Sequence, residues 1–403
     1  MHGLVIPASI PQFPPMFTFA PMNTARTKVG ILGGGQLGKM FALAAHNWDV
    51  ETWALDASSS FPTGPVCSHF VEGNFNDYND VYAFGKQVDV LTIEIEHVNT
   101  DALLRLEAEG LVVHPSPAAL NLIKDKGLQK EFYRKNGLPT SDFKLYDSGE
   151  AIHAAIEAGD LTYPFVQKSR TAGYDGKGVA VIKSAADLNL LLPDASVVED
   201  LVDIQKEIAV VVARNERGEV KAFPAVEMEF NPVANLVEFL VCPADIDPAI
   251  ELAAEKLALD CVSAYGLCGL LAVELFLTKD NQLLINEVAP RPHNSGHHTI
   301  DSCYTSQFEQ HLRGILDLPL GSTKMKTASV MVNLLGEPGH SGPVRYAGFE
   351  EAVAMEGVKV HLYGKAETKP YRKMGHVTVL AEDAEAAKAK ARKVQRTIRV
   401  IAE

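Results

Sequence analysis

The chain has 403 residues, 47% of them hydrophobic and 22% charged. That is ordinary globular usage, enough for two or three cored units, and it excludes collagen, coiled coil and extensive disorder. The 37 basic and 51 acidic residues leave a formal charge of −14, which repels nucleic-acid backbones and anionic lipid at long range but leaves room for a local basic pocket.

Five cysteines, an odd number with no C-x-x-C among them, argue against a disulfide framework and for a reducing, cytoplasmic setting. No apolar run reaches the roughly 18 residues of a membrane span. Residues 1–27 are Pro-rich, carry no charge before Arg26 and lack the basic start of a secretory signal. They are expected to be a tail without function, with Met22 as a candidate start.

In chain order, an apolar run over 28–32 is followed by Gly33-Gly34-Gly35 and a helical pattern over 36–45. Strands are expected over 50–55, 88–95 and 112–113. Strands alternating with helices predict a doubly wound parallel sheet, α/β in class, over 28–125. Helices are expected over 118–136 and 151–158. From Phe165 the pattern turns α+β and largely antiparallel. Strands are expected over 165–168, 179–182, 197–199, 208–213, 236–241, 270–277 and 283–286, with hairpin turns at 215–218 and 279–281 and helices over 249–265 and 307–316. This second unit is placed at 126–322. The third, 323–403, carries strands over 326–334, 358–362 and 375–380 and a last amphipathic helix over 384–401.

Gly33-Gly34-Gly35-Gln36-Leu37-Gly38 fits G-x-G-x-x-G between strand and helix, a turn that brings an anion close to a helix N-terminus. With Asp56 ending the second strand it favours a dinucleotide when taken alone; a purely structural turn fits equally well. Lys168 ends a strand and leads into Gly173-Tyr174-Asp175-Gly176-Lys177-Gly178, then Val179. Such a loop can fold its amides over polyphosphate while lysines meet the charge. Glu199-Asp200-Leu201-Val202 ends another strand, where backbone and Glu199 could read an adenine edge and Glu207 could take ribose hydroxyls. Considered singly, each of these carboxylates reads more readily as a surface charge.

Glu274 lies inside the apolar run Leu-Leu-Ala-Val-Glu-Leu-Phe-Leu, and Asn286-Glu287 ends the next one. Carboxylates there need a partner. Hairpin pairing would set Glu274 beside Glu287, and with the Asn286 oxygen and phosphates they suit magnesium. Pro290-Arg291-Pro292-His293-Asn294-Ser295-Gly296-His297-His298 follows, with no zinc spacing, as an anion- and substrate-binding loop. Glu94-Ile-Glu96-His97 ends a strand, where open sheets bind ligands. Lys365, Lys369, Arg372 and Lys373 form a basic cluster suited to a phosphomonoester.

Together these motifs resemble the ATP-grasp superfamily and, within it, the N5-carboxyaminoimidazole ribonucleotide synthetase family of purine biosynthesis, from about Val29 to about Leu380. The discriminating stretch is Ile285-Asn-Glu-Val-Ala-Pro-Arg-Pro-His-Asn-Ser-Gly-His297. The resemblance implies a pre-ATP-grasp domain, a two-part ATP-grasp domain and a small C-terminal domain. It implies ATP, magnesium, bicarbonate and 5-aminoimidazole ribonucleotide as ligands, carboxyphosphate as intermediate, and a homodimer.

By that similarity Lys126, Lys168 and Gly173 to Val179 hold phosphates, Glu199 to Val202 and Glu207 hold adenosine, and Glu274 and Glu287 hold metal beside Asn286. Gln36, Leu37, Glu94, Asn294, Ser295, Lys365, Arg372 and Lys373 line the ribonucleotide site. Arg291, His297, Asn294, Tyr174 and Asp175 face the reacting groups. Lys126 stands where Arg is frequent, exchanging a fork for a point charge, and Phe230 stands where many members carry His. Two rivals are a formate-dependent glycinamide ribonucleotide transformylase and an NAD-dependent oxidoreductase. The second leaves the Gly173 to Gly178 loop and the Glu274/Glu287 pair unexplained.

Overall fold

A computed structural model describes residues 27–171, 178–230 and 236–403. In the first unit five strands run parallel in the order His69–Glu72, Glu51–Asp56, Lys28–Leu32, Val90–Ile93, Val112–Val113. Two elements there escape the sequence pattern. The strand His69–Glu72 lies at the sheet edge with both end residues exposed. The helix Tyr78–Gly85 starts at Asp77, whose carboxylate accepts from the Asn79 and Asp80 amides.

The helix expected over 118–136 is two helices, Pro117–Lys124 and Lys126–Lys135. Asp125 between them is extended, at φ −110° and ψ 109°. Its carboxylate accepts from the Gly127 and Leu128 amides at 2.7 and 3.1 Å and from both arms of Arg170 at 2.9 and 2.8 Å. A side chain satisfying the orphan amides of a new first turn restarts the helix there, and Lys126 becomes its first residue.

The middle unit holds two antiparallel sheets. The smaller has the order Phe143–Tyr146, Ser196–Asp200, Phe165–Ser169, Val179–Ile182. The larger runs Leu283–Ala289, Gly269–Thr278, Ile204–Arg214, Val226–Phe230, Val237–Cys242, Ala328–Leu335, Lys373–Ala381, Val358–Leu362, with Val220–Ala222 also on Ile204–Arg214. The strand Ala328–Leu335, expected to open a separate region, is hydrogen-bonded to Val237–Cys242, so one sheet continues from the middle of the chain into its last third. The helix Pro248–Tyr265 begins at the Asp247 cap, ends at Gly266 with φ 61°, and packs Ala254, Ala258, Cys261 and Val262 against Ile208, Val210 and Val212.

The last helix stops at Thr397 rather than running to 401. Arg399–Ala402 instead pairs antiparallel with Gly342–Ala347, an outcome suited to the β-branched Val400 and Ile401. All five cysteines are free thiols, four of them buried.

Candidate active site

The glycine turn after the first strand has its own anions. The Gly35 and Gly38 amides donate to the Glu94 carboxylate, the second at 2.5 Å, and the Gly34 amide donates to Asp56 Oδ2 at 2.7 Å. A Cβ on Gly33 or Gly35 would strike Glu94, so the glycines make room for that carboxylate. The N-terminus of the helix Gln36–His46 is therefore satisfied by Glu94. Asp56 is engaged with the glycine turn and the Ala57 amide and is not presented to a ribose. This removes the basis of the dinucleotide reading. Burial raises the Glu94 carboxyl against the pull of the two amides. Gln36 opens that helix, while Leu37 is buried in the core with Met40 and Phe41, so only its backbone can face a ligand.

The predicted carboxylate pair forms. Glu274 on Gly269–Thr278 lies directly opposite Glu287 on Leu283–Ala289, and the register slips at the next residue, where Leu275 meets Ile285. Asn286 is thus the extra residue of a β-bulge. Neighbours on a regular strand point to opposite faces, and a bulge re-aims one of them. Here Asn286 and Glu287 both meet lysines. Lys168 Nζ donates to Asn286 Oδ1 at 2.8 Å, and Lys126 Nζ donates to Glu287 Oε2 at 2.8 Å.

Burial, and then the Glu287 charge, raise the Glu274 carboxyl well above the carboxylate range. Burial works the same way on Glu287, but the Lys126 ammonium outweighs it and holds that group low. Glu207, half-buried on the neighbouring strand, is raised by burial, with Lys168 lowering it and Glu287 raising it. One carboxylate that holds a lysine beside another whose charged form is disfavoured is a donor set with room for positive charge. Two carboxylates and an amide oxygen are hard ligands, too few to cage an ion alone, which fits magnesium arriving with phosphate oxygens. Among the described residues no group of three or more His, Cys, Asp or Glu could hold a metal.

Glu199 is arranged otherwise than its sequence position suggests. Its carboxylate is buried, accepts from Ser141 Oγ at 2.6 Å, and lies 3.1 Å from Lys130 Nζ and 3.2 Å from Lys168 Nζ. The carboxylate is thus spent on lysines and is not free to read an adenine edge. Asp200 and Leu201 are exposed and Val202 is half-buried. Lys130, one helical turn after Lys126, gives no sign of its role in the sequence.

Gly178 turns at φ 76° and its carbonyl accepts from the Ser169 amide at 2.9 Å, and Val179 points outward. Gly173, Tyr174, Asp175, Gly176 and Lys177 lie outside the described residues, as do residues 1–26 of the expected tail.

In the loop after Glu287, Arg291 Nε lies 2.8 Å from Glu96 Oε1, which ties the first unit to the second. Asn294 Oδ1 is buried without a hydrogen-bond partner. Ser295 Oγ pairs with His293 Nδ1 at 2.9 Å. His293 Nε2 lies 3.5 Å from Glu274 Oε1, so the imidazole that faces the carboxylates is His293. His297, expected to face the reacting groups, is buried behind the loop against Phe308, Tyr363 and His376. Its ring is part of the packing.

Lys365 Nζ donates to the Lys373 carbonyl at 2.7 Å, and Arg372 donates to the Glu367 carbonyl at 2.6 Å. Main-chain carbonyls thus hold Lys365 and Arg372 in the basic cluster. The Lys373 charge reaches both Glu274 and His297.

Three family models match the chain in order. They are a ribonucleotide synthetase preATP-grasp domain over 26–124, an ATP-grasp domain over 131–308, and a phosphoribosylaminoimidazole carboxylase C-terminal domain over 329–390. The N5-carboxyaminoimidazole ribonucleotide synthase of Bacillus subtilis is 35% identical, with 88% of this chain aligned to 91% of that protein. The chain belongs to the N5-carboxyaminoimidazole ribonucleotide synthase family. Among solved members of that family, the Thermotoga maritima synthetase matches with a TM-score of 0.86 at 42% identity over 94% of this chain and all of that one. An Aspergillus clavatus synthase, solved with ADP and 5-aminoimidazole ribonucleotide, matches with a TM-score of 0.84 at 33% identity over 93% and 98%. The phosphoribosylaminoimidazole carboxylase of Saccharomyces cerevisiae is 39% identical over 88% of this chain, which spans 63% of that protein's length.

Proposed function

We propose that this protein is an ATP-dependent carbon–nitrogen ligase of purine biosynthesis. It uses ATP and bicarbonate to carboxylate 5-aminoimidazole ribonucleotide to the N5-carboxylated ribonucleotide, releasing ADP and phosphate. The observation that carries the reading is the Glu274/Glu287 pair on a bulged strand end, met by Lys126 and Lys168 and followed at once by the loop with Arg291, His293 and Asn294.

Lys126 and Lys168 give up their present acceptors to the phosphates, with Gly173 to Val179 closing over them. The backbone of Glu199 to Val202 takes the adenine and Glu207 the ribose. Magnesium, held by Glu274 and Glu287 beside Asn286, would neutralise charge on the transferring phosphoryl group. Bicarbonate attacks the γ-phosphoryl group to give carboxyphosphate, within reach of Arg291, His293, Tyr174 and Asp175. Its breakdown yields carbon dioxide, which the substrate amine captures. The unpartnered Asn294 oxygen is placed to accept from a ligand N–H or O–H. Lys365, Arg372 and Lys373 offer the ribonucleotide phosphate positive charge, with Gln36, Glu94 and Ser295 assigned to the same site by family likeness. We read the protein as a cytoplasmic homodimer from family likeness alone.

The test is ADP release with each substrate omitted in turn. Full rate should need ATP, bicarbonate and the ribonucleotide together. Equal rates with formate and glycinamide ribonucleotide would assign the chain to the transformylase reaction instead.

A further inference from the structure

The main chain of the loop that carries Arg291, His293 and Asn294 is gripped by a side chain outside it. Gln307, at the start of the helix Gln307–Ile315, is fully buried. Its Oε1 accepts from the His293 amide at 2.9 Å. Its Nε2 donates to the His293 carbonyl at 2.8 Å and lies 3.0 Å from His297 Nδ1. The two main-chain partners leave the carboxamide no choice of orientation, because an amide N–H can only donate and a carbonyl can only accept. The nitrogen of Gln307 therefore faces His297, and Nδ1 of that ring is the acceptor. The Gln307 amide in turn donates to Thr299 Oγ1 at 2.8 Å, and that hydroxyl donates to the Gly296 carbonyl at 2.5 Å. A Cβ on Gly296 would fall 2.4 to 3.1 Å from the Gln307 carboxamide, so the loop is moulded onto this one group.

We propose that Gln307 is a positioning residue for the reaction: by gripping both main-chain groups of His293 and the ring of His297, it fixes the aim of the His293 imidazole at Glu274 and holds His297 as the Nε2–H tautomer. The proposal rests on the placing of His293 at the reaction site above. The groups that face His297 make that tautomer a neutral one. They are His293 and His298 on its own segment, His376 and Lys373 on the strand Lys373–Ala381, His361 on the strand Val358–Leu362 beside it, and Tyr363 just after that strand. Burial, followed by the positive charge of these neighbours, disfavours the imidazolium.

Gln307→Glu tests this, since a carboxylate has the same shape and cannot donate. In 15N-histidine-labelled full-length protein, His297 is identified by the resonances lost in His297→Asn. Wild type should show Nδ1 unprotonated and Nε2 protonated, and Gln307→Glu should show Nδ1 protonated. Two donations are lost at about threefold to tenfold each, so kcat should fall by about 10-fold or more, with KM for ATP within about twofold. A wild-type spectrum with Nδ1 protonated overturns the proposal even if the variant does not fold. So does a folded variant whose kcat and bicarbonate KM stay within about twofold of wild type. Wild-type enzyme without bicarbonate-dependent ADP release would instead remove the functional reading, and the spectra would still decide the tautomer.

Discussion

Lys130→Met is the most searching perturbation of the phosphate side of the site. Lys130 is 2% exposed, and its ammonium contacts Thr140 Oγ1 at 2.6 Å, Ser141 Oγ at 2.9 Å and Glu199 Oε1 at 3.1 Å. Methionine fills much the same space without charge. Removing one partner of a buried ion pair costs about 3–5 kcal/mol when the other charge is left alone. Here Glu199 keeps Lys168 and Ser141, and Thr140 keeps its donation to the Ile285 carbonyl at 2.7 Å. The loss should therefore lie at or just under the lower end, about 2–3 kcal/mol.

Urea unfolding followed by circular dichroism measures it. The cycle with Glu199→Gln isolates the pair, and the double variant should lose about 1–3 kcal/mol less than the sum of the singles. Lys168, left as the only ammonium on Glu199, should be drawn further from the phosphates, raising KM for ATP. A cost under about 1 kcal/mol, or strict additivity in the cycle, would refute the reasoning that Glu199 is a carboxylate committed to two lysines.

Glu287→Gln keeps shape and deletes the charge that holds Lys126. Turnover should fall roughly 10²-fold or more with the fold intact by circular dichroism, and near-normal activity at moderate magnesium would put the metal elsewhere. Acid should destabilise the protein through its buried imidazoles, His298 and His311 among them. Burial pushes His298 down to about 4 and His311, further lowered by His114, to about 3. Below the ordinary value of 6.5 the unfolded chain binds protons that the folded one does not, so stability present above pH 6.5 is lost as pH falls toward 4. Urea midpoints at pH 7, 5.5 and 4.5 should drop in wild type and drop less in His298→Gln, while an equal slope in the variant would exclude that group.

What the sequence disclosed follows from the range over which its patterns act. Glu274 and Glu287 stand out because a carboxylate within an apolar strand is anomalous by itself, and hairpin register is local. The bulge at Asn286 escapes, since nothing in Leu-Leu-Ile-Asn-Glu distinguishes a bulged ladder from a regular one. The glycine turn misleads for the opposite reason: the carboxylate that fills it, Glu94, lies 56 and 59 residues from the amides it accepts from. Lys130 and Gln307 look like ordinary polar helix positions until partners from other elements surround them. His297 drew attention as the end of a motif, but the side of the loop on which its ring packs is set by Tyr363 and by His376 on the strand Lys373–Ala381.

The sheet that runs unbroken from Leu283–Ala289 to Val358–Leu362 has a consequence for cutting the chain. Between Val237–Cys242 and Ala328–Leu335 the ladder joins Phe239 to Val332 and Cys242 to Ser329, and Phe239, Val241, Val330 and Val332 share one core with the last helix. A fragment ending shortly after the helix Gln307–Ile315 would bare the apolar edge Val237–Cys242, a ready template for another chain to add to. Such a fragment is a candidate for aggregation or for rescue by the missing piece added in trans.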